Sequence, residues 1–225
     1  MYFVAKPIVT NGLIFQVDPA NTLSYTSGSN TITSLAGNNI TGSVPSAVKY
    51  SNDVQGSLVF DGSNSIQTNF KLLDYFSDNS DFTVSIWFNN SSATSQTSPI
   101  GNSVYNTSGW AVYDYYGQFR LISYSGSTSS GIAIGNSGFN PDDTWVNYTF
   151  SVQNLTGSGY FNGSLKTVSS FRYTINSVNT PLGATTQGGV GRFSGSIGVT
   201  QIYNRALSSS EVQQNFNALK GRYGI

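Results

Sequence analysis

Apolar and polar residues alternate along this chain in short runs, broken at regular intervals by Gly, Ser, Asn and Asp. The alternation is cleanest over residues 81–88. There Phe82, Val84, Ile86 and Phe88 fall on one side and Thr83, Ser85 and Trp87 on the other. A period of two built from Phe, Val, Ile and Trp predicts a strand inside the fold. Residues 12–17 predict another strand, closed by Asp18-Pro19, and residues 57–60 a third, closed by Asp61-Gly62. Residues 109–115 and 118–124 flank Tyr116-Gly117, a pair suited to a tight hairpin. Residues 144–152 and 157–161 form a second pair, and Asn162-Gly163 is a strong two-residue hairpin signal leading into residues 164–168. A last strand over residues 194–203 buries Ile197, Val199 and Ile202.

One segment follows a different period. Leu207-Ser208-Ser209-Ser210-Glu211 reads as a capping box, in which Ser208 caps and Glu211 reaches back to the Ser208 amide. Val212, Phe216 and Leu219 then share a helical face. Lys220 suits the last turn, and Gly221 is expected to stop the helix in the left-handed conformation. Strands spaced about 8–12 residues apart predict an all-β sandwich with one short C-terminal helix. A length of 225 residues fits one domain, 1–225, with its core over residues 12–220.

Composition narrows the chemistry. Ten Lys+Arg balance ten Asp+Glu, and 9% of residues are charged, against about 25% in an average globular protein. Without a basic block, neither nucleic acid nor an anionic membrane surface is an expected partner. Ser, Thr, Asn and Gly supply nearly half of the chain, while aromatics at 14% supply core. Cys and His are both absent, which removes disulfides, thiolate metal sites and imidazole catalysis. Glu211 is the only glutamate, and the cap accounts for it. The start, Met1 to Pro7, lacks the basic and apolar regions of a signal peptide.

Three clusters could bind something. Asp74, Asp78 and Asp81 lie close together with amide and hydroxyl oxygens nearby, the ligand chemistry of Ca²⁺. The segment lacks the Gly and terminal Glu of an EF-hand loop, and it reads first as an acidic turn entering a strand. No other cofactor is suggested. Trp110, Tyr113, Tyr115, Tyr116 and Tyr124 crowd one hairpin with Asp114. Alternation puts Tyr113 and Tyr115 opposite Trp110, Val112 and Asp114, so one of these faces is core. The tyrosines are either ordinary packing or, as Tyr113, Tyr115, Tyr116 and Tyr124, a sugar-binding platform. Asp142-Asp143 are neighbours in a loop, where side chains point apart, unlike the facing carboxyls of a glycosidase. Gly188-Gly189-Val190-Gly191 lacks the Lys-Ser/Thr ending of a phosphate loop.

Five segments, in order, resemble the laminin-G-like, concanavalin A-like jelly-roll domains. They are residues 12–19, Phe60-Asp61-Gly62, residues 81–88, Thr144 to Phe150 with Gly159 to Gly163, and the closing Phe193 to Ser208 with its Tyr203-Asn204-Arg205-Ala206-Leu207-Ser208 ending. The resemblance implies two antiparallel sheets packed face to face, with Trp87 and Trp145 at core positions and Arg205 as a structural ion-pair or carbonyl donor. The β-glucanases of this fold carry a Glu-x-Asp-x-Glu strand that is absent here, so the implied protein is non-enzymatic, with a glucan hydrolase as the remote alternative. Similar domains without a secretory signal occur in tailed-bacteriophage virions. That likeness implies a capsid decoration or fibre protein, assembled in the host cytoplasm, whose partners are other virion proteins or copies of itself. The alternative function is a carbohydrate-binding module for host-surface polysaccharide.

Overall fold

The computed structural model describes residues 6–91, 96–115, 117–134, 144–185 and 191–225. Along the chain, β1 is Leu13–Val17, β2 Thr31–Thr33, β3 Thr41–Ser43, β4 Lys49–Ser51, β5 Ser57–Asp61 and β6 Gln67–Thr68. Then come β7 Phe82–Asn90, β8 Thr97–Gly101, β9 Trp110–Tyr115, β10 Gln118–Ser125 and β11 Thr128–Ile134. The last strands are β12 Trp145–Gln153, β13 Thr156–Phe161, β14 Ser164–Ser170, β15 Gly191–Arg192 and β16 Ser194–Tyr203, followed by α1, Ser209–Leu219. The large sheet runs β14-β13-β12-β7-β16-β5-β4, with β1 also on β16. The facing sheet runs β11-β10-β9-β8-β15, and a small sheet, β2-β3-β6, completes the body. Pairing is antiparallel except between β15 and β8. This is a two-sheet jelly-roll β-sandwich.

Alternation places the core. Phe82, Val84, Ile86 and Phe88 of β7 and Val146, Tyr148, Phe150 and Val152 of β12 face inward, all buried. Trp110 and Val112 of β9, Phe119 and Leu121 of β10 and Ile132 and Ile134 of β11 meet them. Phe82 stacks on Trp110 at 5.3 Å between ring centroids, and Phe88 meets Phe119 at 4.6 Å. At one end the sheets close because β13 carries Gly157, where a Cβ would overlap the Ile132 side chain of β11.

The outward side of the large sheet is covered too. Trp87, with Val199 and Tyr223, forms a satellite cluster beneath the C-terminal segment rather than between the sheets. The Trp87 and Tyr223 rings stack at 4.1 Å, and Trp145 is half-buried against Tyr223 at 4.9 Å. Both tryptophans therefore pack on the outer layer of the large sheet, Trp87 fully buried and Trp145 partly. Beside them lies a buried polar seam: Thr149 Oγ1 donates to Ser85 Oγ at 2.8 Å, and Ser151 Oγ donates to the Leu207 carbonyl at 2.9 Å. Polar groups cut off from water need such partners.

Strand β16 buries Ile197 and Ile202 on the inner side and Val199 on the outer. A bulge between Ile197 and Thr200 makes this possible by shifting the register against β7. The α-helix ends at Leu219, but the chain does not stop coiling at Gly221 as expected. Gly221 lies within a 3-10 turn, Lys220–Tyr223, and the left-handed residue is Gly224, φ +75°. The extension seats Tyr223 over Trp87, a tertiary gain that outweighs the local stop signal.

Candidate functional site

One concave place among the described residues is built from two loops near the chain start. Residues 25–30 lead into β2, and residues 44–48 connect β3 to β4. Together with Lys49 and Tyr50 they line a groove of about 430 Å³, within the range of small-ligand sites. The half-buried Tyr50 ring stands at its wall, backed by Tyr25, which is 5% exposed and belongs to the core, with 5.9 Å between the ring centroids. Val44 and Val48 are buried beneath it. Tyr25 Oη donates to the Ser29 carbonyl at 3.1 Å, which closes the loop around Ser27 and Gly28. The Val44 amide donates to the Asn30 carbonyl at 2.8 Å and ties the two loops together. At the rim, Lys49 Nζ donates to the Ser46 carbonyl at 2.6 Å. Lys49 is the only charged lining residue; the others are aromatic, aliphatic, hydroxyl, amide or glycine. The half-buried Tyr50 ring with a rim of hydroxyl and amide groups can pack against the C–H face of a sugar ring and hydrogen-bond its hydroxyls. Neither Tyr25 nor Tyr50 stood out in the sequence, because they are far apart along it and lie in irregular segments.

The tyrosine hairpin is arranged as alternation requires. Trp110 and Val112 face the core, and Tyr113 and Tyr115 face out, opposite Arg120 and Gln118 of β10. Tyr124 lies on the same outward face at the far end of β10. The three do not form one platform. Tyr113 is 7% exposed and donates its hydroxyl to Gln96 Oε1 at 2.5 Å. Tyr124 is 9% exposed, packed edge-on against Tyr105 at 5.5 Å, and burial raises its pKa, with the neighbouring Tyr105 adding to the effect. Tyr115, 42% exposed, is the accessible ring. This corrects the platform of four: Tyr113 and Tyr124 serve packing, and Tyr116 lies outside the described residues. Asp114, on the inward side, is buried and accepts from the Gly117 amide at 2.8 Å.

The acidic segment distributes its carboxylates. Asp78 Oδ1 accepts from the Ile175 amide and Asp81 Oδ1 from the Asn154 amide, each at 2.8 Å. Asn79 Oδ1 between them accepts from the Tyr173 amide at 2.9 Å. Asp74 closes a 3-10 turn, Leu72–Asp74. Asp78 and Asp81 thus hold separate loops to the start of β7 instead of converging. Among the described residues no group of three or more acidic or metal-ligating side chains could hold a metal ion, so the Ca²⁺ reading of Asp74, Asp78 and Asp81 is set aside.

The lone glutamate is fully occupied. Ser208 Oγ accepts from the Glu211 amide at 3.3 Å, and Glu211 Oε2 accepts from the Ser208 amide at 2.8 Å. Arg205 pairs with the same carboxylate, Nη2 to Oε1 at 2.6 Å, and donates through Nε to the Asn11 carbonyl at 2.9 Å. The Arg205 hydrogen bond, reinforced by those from Ser208, holds the Glu211 carboxyl down to about 2 against the opposing effect of burial. A second groove of about 250 Å³ lies beside this cap, walled by Ser151, Thr156, Ser158 and Ser209 with the buried Tyr160. It offers hydroxyls without an exposed ring. Asp142, Asp143 and Gly188 to Val190 lie outside the described residues.

Comparison with known proteins adds the following. The profile described as the concanavalin A-like lectin/glucanases superfamily matches residues 60–213. No curated protein matches the chain. Among solved structures, the fold is similar to domain 4 of AbnA, a GH43 extracellular arabinanase from Geobacillus stearothermophilus, in complex with arabinotriose. The TM-score is 0.68 at 22% identity, covering 91% of this chain and 98% of that one. It is similar to the binding domain of Paraclostridial Mosquitocidal Protein 1, with TM-score 0.74, 20% identity and coverage of 93% and 52%. It is also similar to the botulinum neurotoxin type G receptor binding domain, with TM-score 0.68, 18% identity and coverage of 92% and 51%. The chain spans about half the length of these two toxin structures. At such identities the likeness is one of fold.

Proposed function

The chain belongs to the concanavalin A-like lectin/glucanases superfamily, and on that premise we propose that it is a non-enzymatic glycan-binding module whose Tyr25–Tyr50 groove seats the sugar. The observation that carries this reading is the groove itself: the half-buried Tyr50 ring backed by Tyr25, a rim of hydroxyl and amide groups, and no carboxylate among its described lining residues. Glycoside hydrolysis needs two facing carboxyls. The one glutamate of the chain is committed to Ser208 and Arg205. Support comes from the solved arabinanase domain, which has this fold and holds arabinotriose, and from the toxin structures, which are binding domains.

The test is calorimetric titration with arabinotriose and a glycan array, on wild type and Tyr50→Ala. Near-UV circular dichroism checks that the variant keeps its fold. Binding that falls tenfold or more in Tyr50→Ala, about 1.4 kcal/mol, supports the reading. Blank arrays and titrations for the wild type, or an unchanged affinity in the variant, end it.

A second reading places the module on a virion surface, in contact with other virion proteins or with its own copies. Composition favours it: few charges, zero net charge and a Ser/Thr/Asn-rich exterior discourage non-specific attachment to nucleic acid and lipid. The edge strand β14 also exposes Leu165 and Val168. Mass spectrometry of purified particles decides this reading, and absence from them removes it. The two readings are compatible, since a particle can carry a glycan-binding module.

A further inference from the structure

The facing sheet holds a cation on its outward face that has no counter-charge among the described residues. Arg120 of β10 sits across from Tyr113 of β9 and Ala133 of β11. Its Nη2 donates to Gln118 Oε1 at 2.6 Å, and its guanidinium carbon lies 4.6 Å from the centre of the Tyr115 ring. Its Nε–H is buried and meets no acceptor. The ion pairs among the described residues are Arg205–Glu211 and Arg222–Asp18, so neutral groups alone hold Arg120. Arg172 and Arg192 are exposed to solvent. Among the described residues Arg120 is therefore the one half-buried arginine that is ordered by its neighbours and meets no carboxylate.

A positioned guanidinium is complementary to a carboxylate, which it binds through paired N–H donors. Here the neighbouring ring is the accessible tyrosine of the hairpin, and an exposed ring offers a flat apolar partner for the C–H face of a sugar. Across the strand, Ala133 and Gly131 leave the surface low. We propose that Tyr115 and Arg120 form a second saccharide site, which takes a hexuronate residue with its ring against Tyr115 and its carboxylate on Arg120. The site shares only its ligand class with the function proposed above. It uses a different sheet and different residues from the Tyr25–Tyr50 groove.

The experiment titrates tri-galacturonate and its fully methyl-esterified form into wild type, Arg120→Gln, Arg120→Lys and Tyr50→Ala. Binding is read by calorimetry and by NMR of the Arg120 Nε–H resonance. The wild type is expected to bind the free acid at least tenfold more tightly than the ester, more weakly as NaCl is raised, with a shifted Arg120 resonance. Arg120→Gln is expected to lose this preference, Arg120→Lys to keep part of it, and Tyr50→Ala to keep all of it. Should Arg120→Gln fail to fold, the acid-versus-ester ratio and the wild-type resonance still decide. Equal binding of acid and ester, no binding of the acid, a resonance that stays put, or a preference lost in Tyr50→Ala overturns the proposal. Arabinotriose binding in the groove can survive each of these results, so failure here and failure of the groove reading are told apart.

Discussion

Replacing Glu211 by Gln removes one charge and leaves nearly everything else in place. Glutamine can still accept from the Ser208 amide, since the capping box tolerates either residue. Arg205 keeps its carbonyl partners, Asn11 at 2.9 Å and Ala206 at 3.1 Å. What disappears is the attraction that holds the carboxyl at about 2, against an ordinary value of 4.5. At roughly 1.4 kcal/mol per pKa unit, that displacement sets a ceiling of about 3 kcal/mol. The two side chains are 28% and 29% exposed, and solvent screening reduces the figure to about 1.5–2 kcal/mol. The sign follows from linkage. The folded pKa lies below the unfolded one, so the stabilisation is complete above about pH 4.5 and is lost as pH falls through about 2. Urea unfolding of wild type and Glu211→Gln at stepped pH from 7 to 2 measures it. The gap between them should be about 1.5–2 kcal/mol at pH 7, narrow steadily below pH 4.5 and approach zero near pH 2. Because other carboxylates titrate in both proteins alike, only the difference counts. A gap that is constant down to pH 2, or absent at pH 7, would refute the assignment of Glu211 as the titrating anchor.

Two further substitutions test the outer layer. A Cβ on Gly198 would overlap the Tyr223 hydroxyl, which accepts from the Val199 amide at 2.9 Å, so Gly198→Ala should cost about 1–3 kcal/mol by overpacking. It should also change the tryptophan emission as Tyr223 leaves Trp87; a wild-type melting curve with unchanged emission contradicts this packing. Arg222 pairs with Asp18 at 2.7 Å and donates to the Val54 and Gly56 carbonyls at 2.6 and 2.7 Å. Arg222→Gln strands a mostly buried carboxylate and should cost about 3–5 kcal/mol in urea unfolding, whereas a loss under about 1 kcal/mol would mean that the pair is a surface one.

The strands that could be read from sequence are those whose partners impose a period. β7 lies between β12 and β16, so each of its side chains must suit one of two packed layers, and the residues alternate accordingly. The same pattern misleads about what lies outside. Thr83, Ser85, Asn147 and Thr149 look like a solvent face, yet all are buried, because their hydroxyls and amides satisfy one another beneath the C-terminal and N-terminal segments. No local rule signals that cover. Gly221 shows a related limit: its left-handed potential is real, but the stacking of Tyr223 on Trp87 carries the chain past it. The bulge that lets Ile197 and Val199 bury on opposite layers is likewise set by pairing with β7. The small sheet was invisible for the opposite reason. Its strands, Thr31–Thr33, Thr41–Ser43 and Gln67–Thr68, are too short and too polar to show any period.

This invisibility bears on function. The matched profile begins at residue 60, whereas the groove is made by residues 25–30 and 44–50. The parts of the chain most easily recognised therefore build the rigid sandwich, and the parts that line the groove are loops laid against its edge. β4 joins the large sheet through β5, so Tyr50 is fixed by sheet pairing. Tyr25 reaches the same wall through a loop closed by its own hydroxyl. One ring is thus set by the scaffold and the other by a loop anchored in the core through Tyr25 itself, while residues 26–30 beyond it are mostly exposed. A change at residues 26–30 would reshape the groove at little cost to stability, while a change at Tyr25 or Tyr50 would be felt in both. Ligand choice in this module should accordingly reside in the first loop, and its affinity in the strand.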